Sequence, residues 1–268
     1  IYILKNKYYI HLLFIGFFTL SIKWVLPIID NEASLNSLVL FNLEDTQYFP
    51  IIYSLSELNF SPTYLDIINT DKIISFPLLG TLIHSIFFKF IGIYSFIFLE
   101  YFFQIIFLVI LYKVSLKLFN NHTKSFYFII FLILSYSIIG ILNIYQNNFI
   151  INKLYYLFNN NFGTRFPRPL ITGILVFLAL YFILDFKNQL FKSFDNIYVI
   201  KISIVLGLLL NTFFYYFIIF SFLLFLILFK NLNKKLIFFK ILKKFILFMT
   251  VFLIFLIPFI FQNIYSEI

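Results

Sequence analysis

IISFPLLGTLIHSIFFKFIG, residues 73–92, is the stretch on which the architecture turns. A bilayer is crossed by about 20 apolar residues, and this run has the length to do it. Pro77, Gly80, His84 and Lys89 nevertheless break its apolar character. If the run crosses, every later loop changes side. If it lies on or dips into one face, the loops before and after it share that face.

The composition around it points to one class. The 268 residues are 62% hydrophobic, 24% aromatic and 12% charged, with a mean hydropathy of +1.00. A soluble domain carries roughly 25% charged residues. Repeated apolar runs of about 20 residues belong to a polytopic helical membrane protein. The runs must be helical because lipid offers no partner to a free backbone N–H or C=O, and they lack the alternation of barrel strands. Cys is absent, which excludes disulfides and thiolate metal sites. The net charge of +9 reads as a topology signal rather than as affinity for nucleic acid. Of the 20 basic residues only Arg165 and Arg168 are arginine. With many Ile, Phe and Asn, this bias is that of an AT-rich, bacterial coding sequence. A chain that begins at Ile1 is expected to be a fragment.

The positive-inside rule decides between the two topologies. Lys5 and Lys7 precede an apolar run over 10–29 that is too long for a signal peptide and lacks its cleavage site. It is expected to be the first span, with a cytoplasmic N-terminus and with Trp24 and Pro27 at the outer interface. Further spans are expected over 93–112, 126–142, 169–184 and 245–261. The run over 197–229 is too long for one span, and Asn211-Thr212 near its middle predicts a hairpin of two helices. With 73–92 held at the outer face, 13 basic residues fall inside and five outside: Lys72, Lys89, Lys153, Arg165 and Arg168. Letting 73–92 cross leaves six inside and 12 outside. The expected fold is therefore all-α. It is a single bacterial inner-membrane domain of about seven transmembrane helices, with a large extracytoplasmic loop over 30–92 that ends in a juxtamembrane segment.

Three constellations carry chemistry. The stretch 30–71 holds seven of the chain's 11 acids and no Lys or Arg. Within it, Glu44-Asp45 offers a general base for an acceptor hydroxyl or oxygen ligands for a divalent cation; the plainer reading is a pair of solvated loop acids. Arg165 and Arg168 lie in NFGTRFPRP, residues 161–169. The guanidinium fork grips phosphate bidentately where Lys is a point charge; the plainer reading is anchoring to lipid headgroups. Glu100 falls inside a span with Gln104 one turn on, and an ionisable group at that depth is either functional or paired, with Lys or Tyr as the expected partner. His84 is a ligand or base candidate, against the ordinary case of a structural His on an apolar segment.

The order of these features resembles the GT-C superfamily of integral-membrane glycosyltransferases, such as the protein mannosyltransferases and the aminoarabinose transferases of lipid A. The match covers roughly residues 10 to 185: a first span, an outer loop with the early acidic pair Glu44-Asp45, a tyrosine-bearing stretch from Tyr48 to Tyr64, and a Pro-containing segment around Pro77 that runs to Gly92. The resemblance implies a sugar donor on a polyprenyl phosphate at the outer face, membrane lipids as surroundings and no nucleic-acid partner. It implies inverting transfer with Asp45 as base and Glu44 beside it. Lys72 matches the Lys that precedes the family's juxtamembrane prolines, and Arg165 and Arg168 would bind the departing phosphate. Tyr48 and His84 complete the expected substrate-binding set. Two departures stand out. The family's double proline is the single Pro77, and residues 143–168 contain no acid, so no second carboxylate supports a divalent cation. Two other readings use the same residues. A transporter or flippase for a lipid-linked or anionic substrate would route it past Glu100 and the arginines, and a non-catalytic membrane subunit would need none of them.

Overall fold

A computed structural model describes residues 7–31, 48–60, 79–146, 149–153, 170–191, 195–231 and 235–265. Among the described residues the regular structure is helical and contains no strand. The helices are α1 (Lys7–Asn31), α2 (Tyr48–Ser56), α3 (Leu79–Ile91), α4 (Tyr94–Phe119), α5 (His122–Gln146), α6 (Leu170–Phe191), α7 (Asn196–Leu210), α8 (Phe214–Asn231) and α9 (Lys235–Tyr265). Two stretches among the described residues, α4 and the Leu242–Tyr265 part of α9, are both long and apolar enough to cross a bilayer.

Local chemistry sets the breaks. Pro50 sits in the first turn of α2, where its missing N–H has no helical acceptor to lose. Gly92 separates α3 from α4 at φ +57°, and its N–H reaches back to the Phe88 carbonyl at 2.7 Å. That left-handed conformation is what glycine supplies after a helix at little cost. Asn120, at φ 50°, ends α4 the same way. Asn121 then accepts the Lys124 N–H at 3.0 Å, which caps the start of α5. Asp195 caps α7 by accepting the Ile197 N–H. The long apolar run over 197–229 does break at Asn211-Thr212, into α7 and α8.

The chain forms two compact units, residues 1–59 with 80–174 and residues 60–79 with 175–268. In the first unit, α1 and α4 are antiparallel. Tyr9 meets Tyr112 edge-on at 4.7 Å between ring centroids. Gly16 faces Leu108, Phe17 meets Tyr101, and Trp24 reaches Glu100. Residue numbers rise along one helix as they fall along the other. α5 follows a tight turn and doubles back on α4, with Tyr112 Oη bonded to His122 Nδ1 at 2.9 Å and Tyr8 Oη to Thr123 Oγ1 at 2.8 Å.

In the second unit α9 runs parallel to α7 and antiparallel to α8. Lys244 Nζ donates to Asn196 Oδ1, and further along both helices Asn211 Nδ2 donates to the Phe255 carbonyl at 3.0 Å. Phe252 stacks on Phe217 and Phe259 on Phe214. Gly207 admits Phe255 so closely that a Cβ there would lie 2.5 Å from the ring.

Candidate functional site

Where the first unit's α1 ends and α4 begins, α2, α3 and α4 close around a set of buried polar groups. α2 turns Tyr48, Ile51, Ile52 and Leu55 inward. Phe49 stacks on Phe96 of α4 and meets Phe88 of α3 edge-on. α3 buries Thr81, His84 and Ser85 and leaves Ile86, Phe87 and Phe90 exposed. The inward stripe of α4 is Phe96, Leu99, Glu100, Gln104, Phe107 and Leu108, spaced by three or four residues so that one face of the helix carries it.

Of the two described site candidates His84 is the more enclosed, with 1% of its surface exposed. It stacks on Phe96 at 6.3 Å between ring centroids and meets Phe103 at a tilt at 6.0 Å. Nδ1 lies 2.7 Å from the Gly80 carbonyl, which only accepts, so Nδ1 carries the proton. Burial pushes the ring's pKa down from 6.5 to about 3, partly offset by that hydrogen bond. His84 is thus a neutral imidazole at physiological pH, suited to a hydrogen bond rather than to pairing with a phosphate as a cation.

Glu100, 2% exposed, accepts the indole N–H of Trp24 at 2.8 Å. This donor is the chain's one tryptophan, a partner that the sequence reading does not name. The two residues are 76 positions apart, and no local pattern in the sequence pairs them. Next to this pair Ser21 Oγ meets Tyr101 Oη at 3.1 Å and donates to the Phe17 carbonyl. Gln104 is buried on the following turn, and its Oε1 has no hydrogen-bond partner among the described residues.

Of the sequence-predicted site residues, Tyr48 and His84 are described, and both are buried on neighbouring helices that share Phe96 as a wall. Glu44, Asp45, Lys72, Arg165 and Arg168 lie outside the described residues. α1 ends and α4 begins at one end of the antiparallel pair, and α5 turns back toward that end. Among the described residues no group of three or more His, Asp or Glu side chains is placed to hold a metal ion. No protein-family model, curated protein or solved structure matches the chain.

Proposed function

We propose that the chain is a polytopic membrane glycosyltransferase that moves a sugar from a polyprenyl-phosphate donor to an acceptor hydroxyl at the extracytoplasmic face. The antiparallel pairing of α1 with α4 is the observation that carries the reading. A crossing segment between those helices would make them parallel. Antiparallel packing puts the close of α1 and the start of α4 at the same end of the pair, which supports a reading in which 73–92 does not cross. The described part of the 73–92 run, α3, has 13 residues and carries Lys89 in its last turn, which suits a segment lying at an interface.

Other features support the membrane setting. α1 and α5 have 25 residues each, a rise of about 37 Å against a hydrocarbon core of about 30 Å. Phe222, Phe225, Ile254, Ile257 and Phe261 are exposed on α8 and α9, which suits helices facing lipid. The lysine-rich stretch 230–244 is then cytoplasmic, as is the N-terminus, in a bacterial inner membrane.

In this reading Asp45, with Glu44 beside it, takes the proton of the acceptor hydroxyl as its oxygen attacks the anomeric carbon. The bond from that carbon to the phosphate oxygen breaks on the opposite face, with inversion. Polyprenyl phosphate leaves toward Arg165, Arg168 and Lys72, and Tyr48 and His84 shape the neutral side of the pocket. The transport alternative needs Glu100 as a charge on a path; its bond to buried Trp24 favours helix packing instead.

A topology map tests the proposal. The chain has no Cys, so single cysteines at Ser61, Lys124 and Thr164 are clean probes. A membrane-impermeant thiol reagent on intact cells is expected to label positions 61 and 164 and to spare 124. Labelling of 61 and 124 but not 164 puts the acids and arginines on opposite sides and ends the single-site transferase reading.

A further inference from the structure

The second unit has a partly open cavity of about 310 Å³ lined by α6, α7, α8 and α9. Its wall is almost wholly carbon, with Leu206, Phe217, Leu224, Phe248 and Phe252 typical of it; the polar side chains that reach it are Ser221 and Lys244. Along α9 the lining runs from Lys244 to Phe252 and along α8 from Phe217 to Leu228, a slot of about 12–16 Å at 1.5 Å per residue. A narrow apolar slot at the small end of the usual ~300–1,000 Å³ range suits one hydrocarbon chain better than a ring system.

The cation has a fixed place at one end of that slot. Lys244 Nζ donates to the neutral amide of Asn196, and no carboxylate pairs with it among the described residues. Its charge is therefore oriented but not cancelled. The same end carries Lys230 at the close of α8 and Lys243 beside Lys244. A lysine-rich helix end marks the cytoplasmic side, where anionic lipids concentrate and basic pockets between helices take up their headgroups.

We propose that this cavity binds an anionic glycerophospholipid of the cytoplasmic leaflet, with one acyl chain in the slot and the headgroup phosphate on Lys244. The site lies in the second unit and does not depend on the transferase reading, although it does rest on the chain residing in a bilayer. A hydrocarbon chain satisfies the carbon wall by dispersion and by exclusion of water. The phosphate supplies the acceptors that an ammonium with a single amide partner still lacks.

Native mass spectrometry of the full chain, released from mild detergent with added phosphatidylglycerol or phosphatidylcholine, tests the site. Both lipids present a phosphate, but the choline ammonium cancels the headgroup's net charge and repels Lys244, so the parent is expected to retain phosphatidylglycerol about tenfold more tightly. Lys244→Met is expected to bring the two lipids level. Lys243→Met, at an exposed neighbour that does not line the cavity, is expected to behave as the parent. Ser221→Phe fills the slot and is expected to lose both lipids while keeping the parent's melting temperature. Glycerophosphoglycerol, the headgroup without chains, is expected not to compete. Equal losses in the two lysine variants overturn the proposal in favour of loose adsorption to a basic surface, and competition by the bare headgroup overturns the acyl slot. The lysine comparison decides the matter even if Ser221→Phe does not fold. A chain that purifies from the aqueous fraction without detergent refutes the bilayer setting, and this lipid site with it.

Discussion

Trp24 and Glu100 are joined across α1 and α4 by an indole N–H donated to a carboxylate oxygen at 2.8 Å, with both side chains buried. A carboxylate inside an apolar bundle is costly unless its oxygens are hydrogen-bonded. Trp24→Phe keeps the ring's bulk and removes the donor. It is expected to cost about 1–3 kcal/mol, the desolvation penalty of an acceptor stripped of a partner. Glu100→Gln keeps an acceptor oxygen for the indole and is expected to cost less. Thermal unfolding in detergent compares the two. If Glu100→Gln proves as damaging as Trp24→Phe in stability, the bond is not what holds the helices.

Two buried glycines, Gly16 and Gly207, predict a ranking. At Gly16 a Cβ would sit 2.4 Å from Cδ1 of Leu108, the far end of a side chain that is itself enclosed. At Gly207 it would meet Phe255 Cβ at 2.7 Å and the ring at 2.5 Å, atoms at the root of a stiff side chain. Leu108 can change rotamer; Phe255 has to move with its helix. Gly16→Ala is expected to cost about 1–3 kcal/mol, the usual range for overpacking, and Gly207→Ala to lie at or beyond the top of it. Leu108→Ala is expected to restore part of the loss in Gly16→Ala but none of that in Gly207→Ala, a coupling that a double-mutant cycle reads directly.

These contacts show where sequence reading reached and where it stopped. The breaks at Gly92 and Asn211-Thr212 were legible because glycine and short polar residues interrupt apolar runs for local reasons. Helix ends were less so: α9 starts at Lys235, well before the apolar run from Phe245, because lysine is a good helix former. The cap at Asp195 is readable in principle, as an Asp directly before an apolar run. The Trp24–Glu100 bond and the close approach of Leu108 to Gly16 were out of reach, since they depend on the register of two helices far apart in the chain. Of the candidate site, the enclosure of His84 follows from how α2 and α3 fold on α4, which hydropathy does not encode.

His84 gives stability a pH dependence of defined sign. The folded ring stays neutral down to about pH 3, whereas the unfolded ring titrates near 6.5. Above pH 6.5 neither state takes the proton and His84 contributes no slope. Between 6.5 and 3 the unfolded chain binds a proton that the folded chain refuses, so stability falls with falling pH, by at most about 1.4 kcal/mol per unit. His84→Gln removes that contribution. Denaturant unfolding at pH 7 and pH 5 is expected to show a smaller loss in the variant than in the parent; equal losses mean that the ring is protonated in the folded state.

The proposed chemistry makes the sharpest demand of Asp45 and Arg168. A general base is worth roughly 10²–10⁴ in rate. Asp45→Asn is therefore expected to lower sugar transfer by that factor while donor affinity and melting temperature stay near the parent's. Glu44→Gln tests which of the two neighbouring acids takes the proton, and a larger loss there reassigns the base to Glu44. Arg168→Lys keeps the charge but loses the bidentate fork, so the cost belongs in the donor's KM, about tenfold, rather than in kcat. An effect on kcat alone would place Arg168 at the transition state instead of on the bound donor's phosphate. Unchanged kinetics in both Asp45→Asn and Arg168→Lys would remove the transferase assignment altogether, and leave α2, α3 and the buried ring of His84 as packing around the Trp24–Glu100 pair.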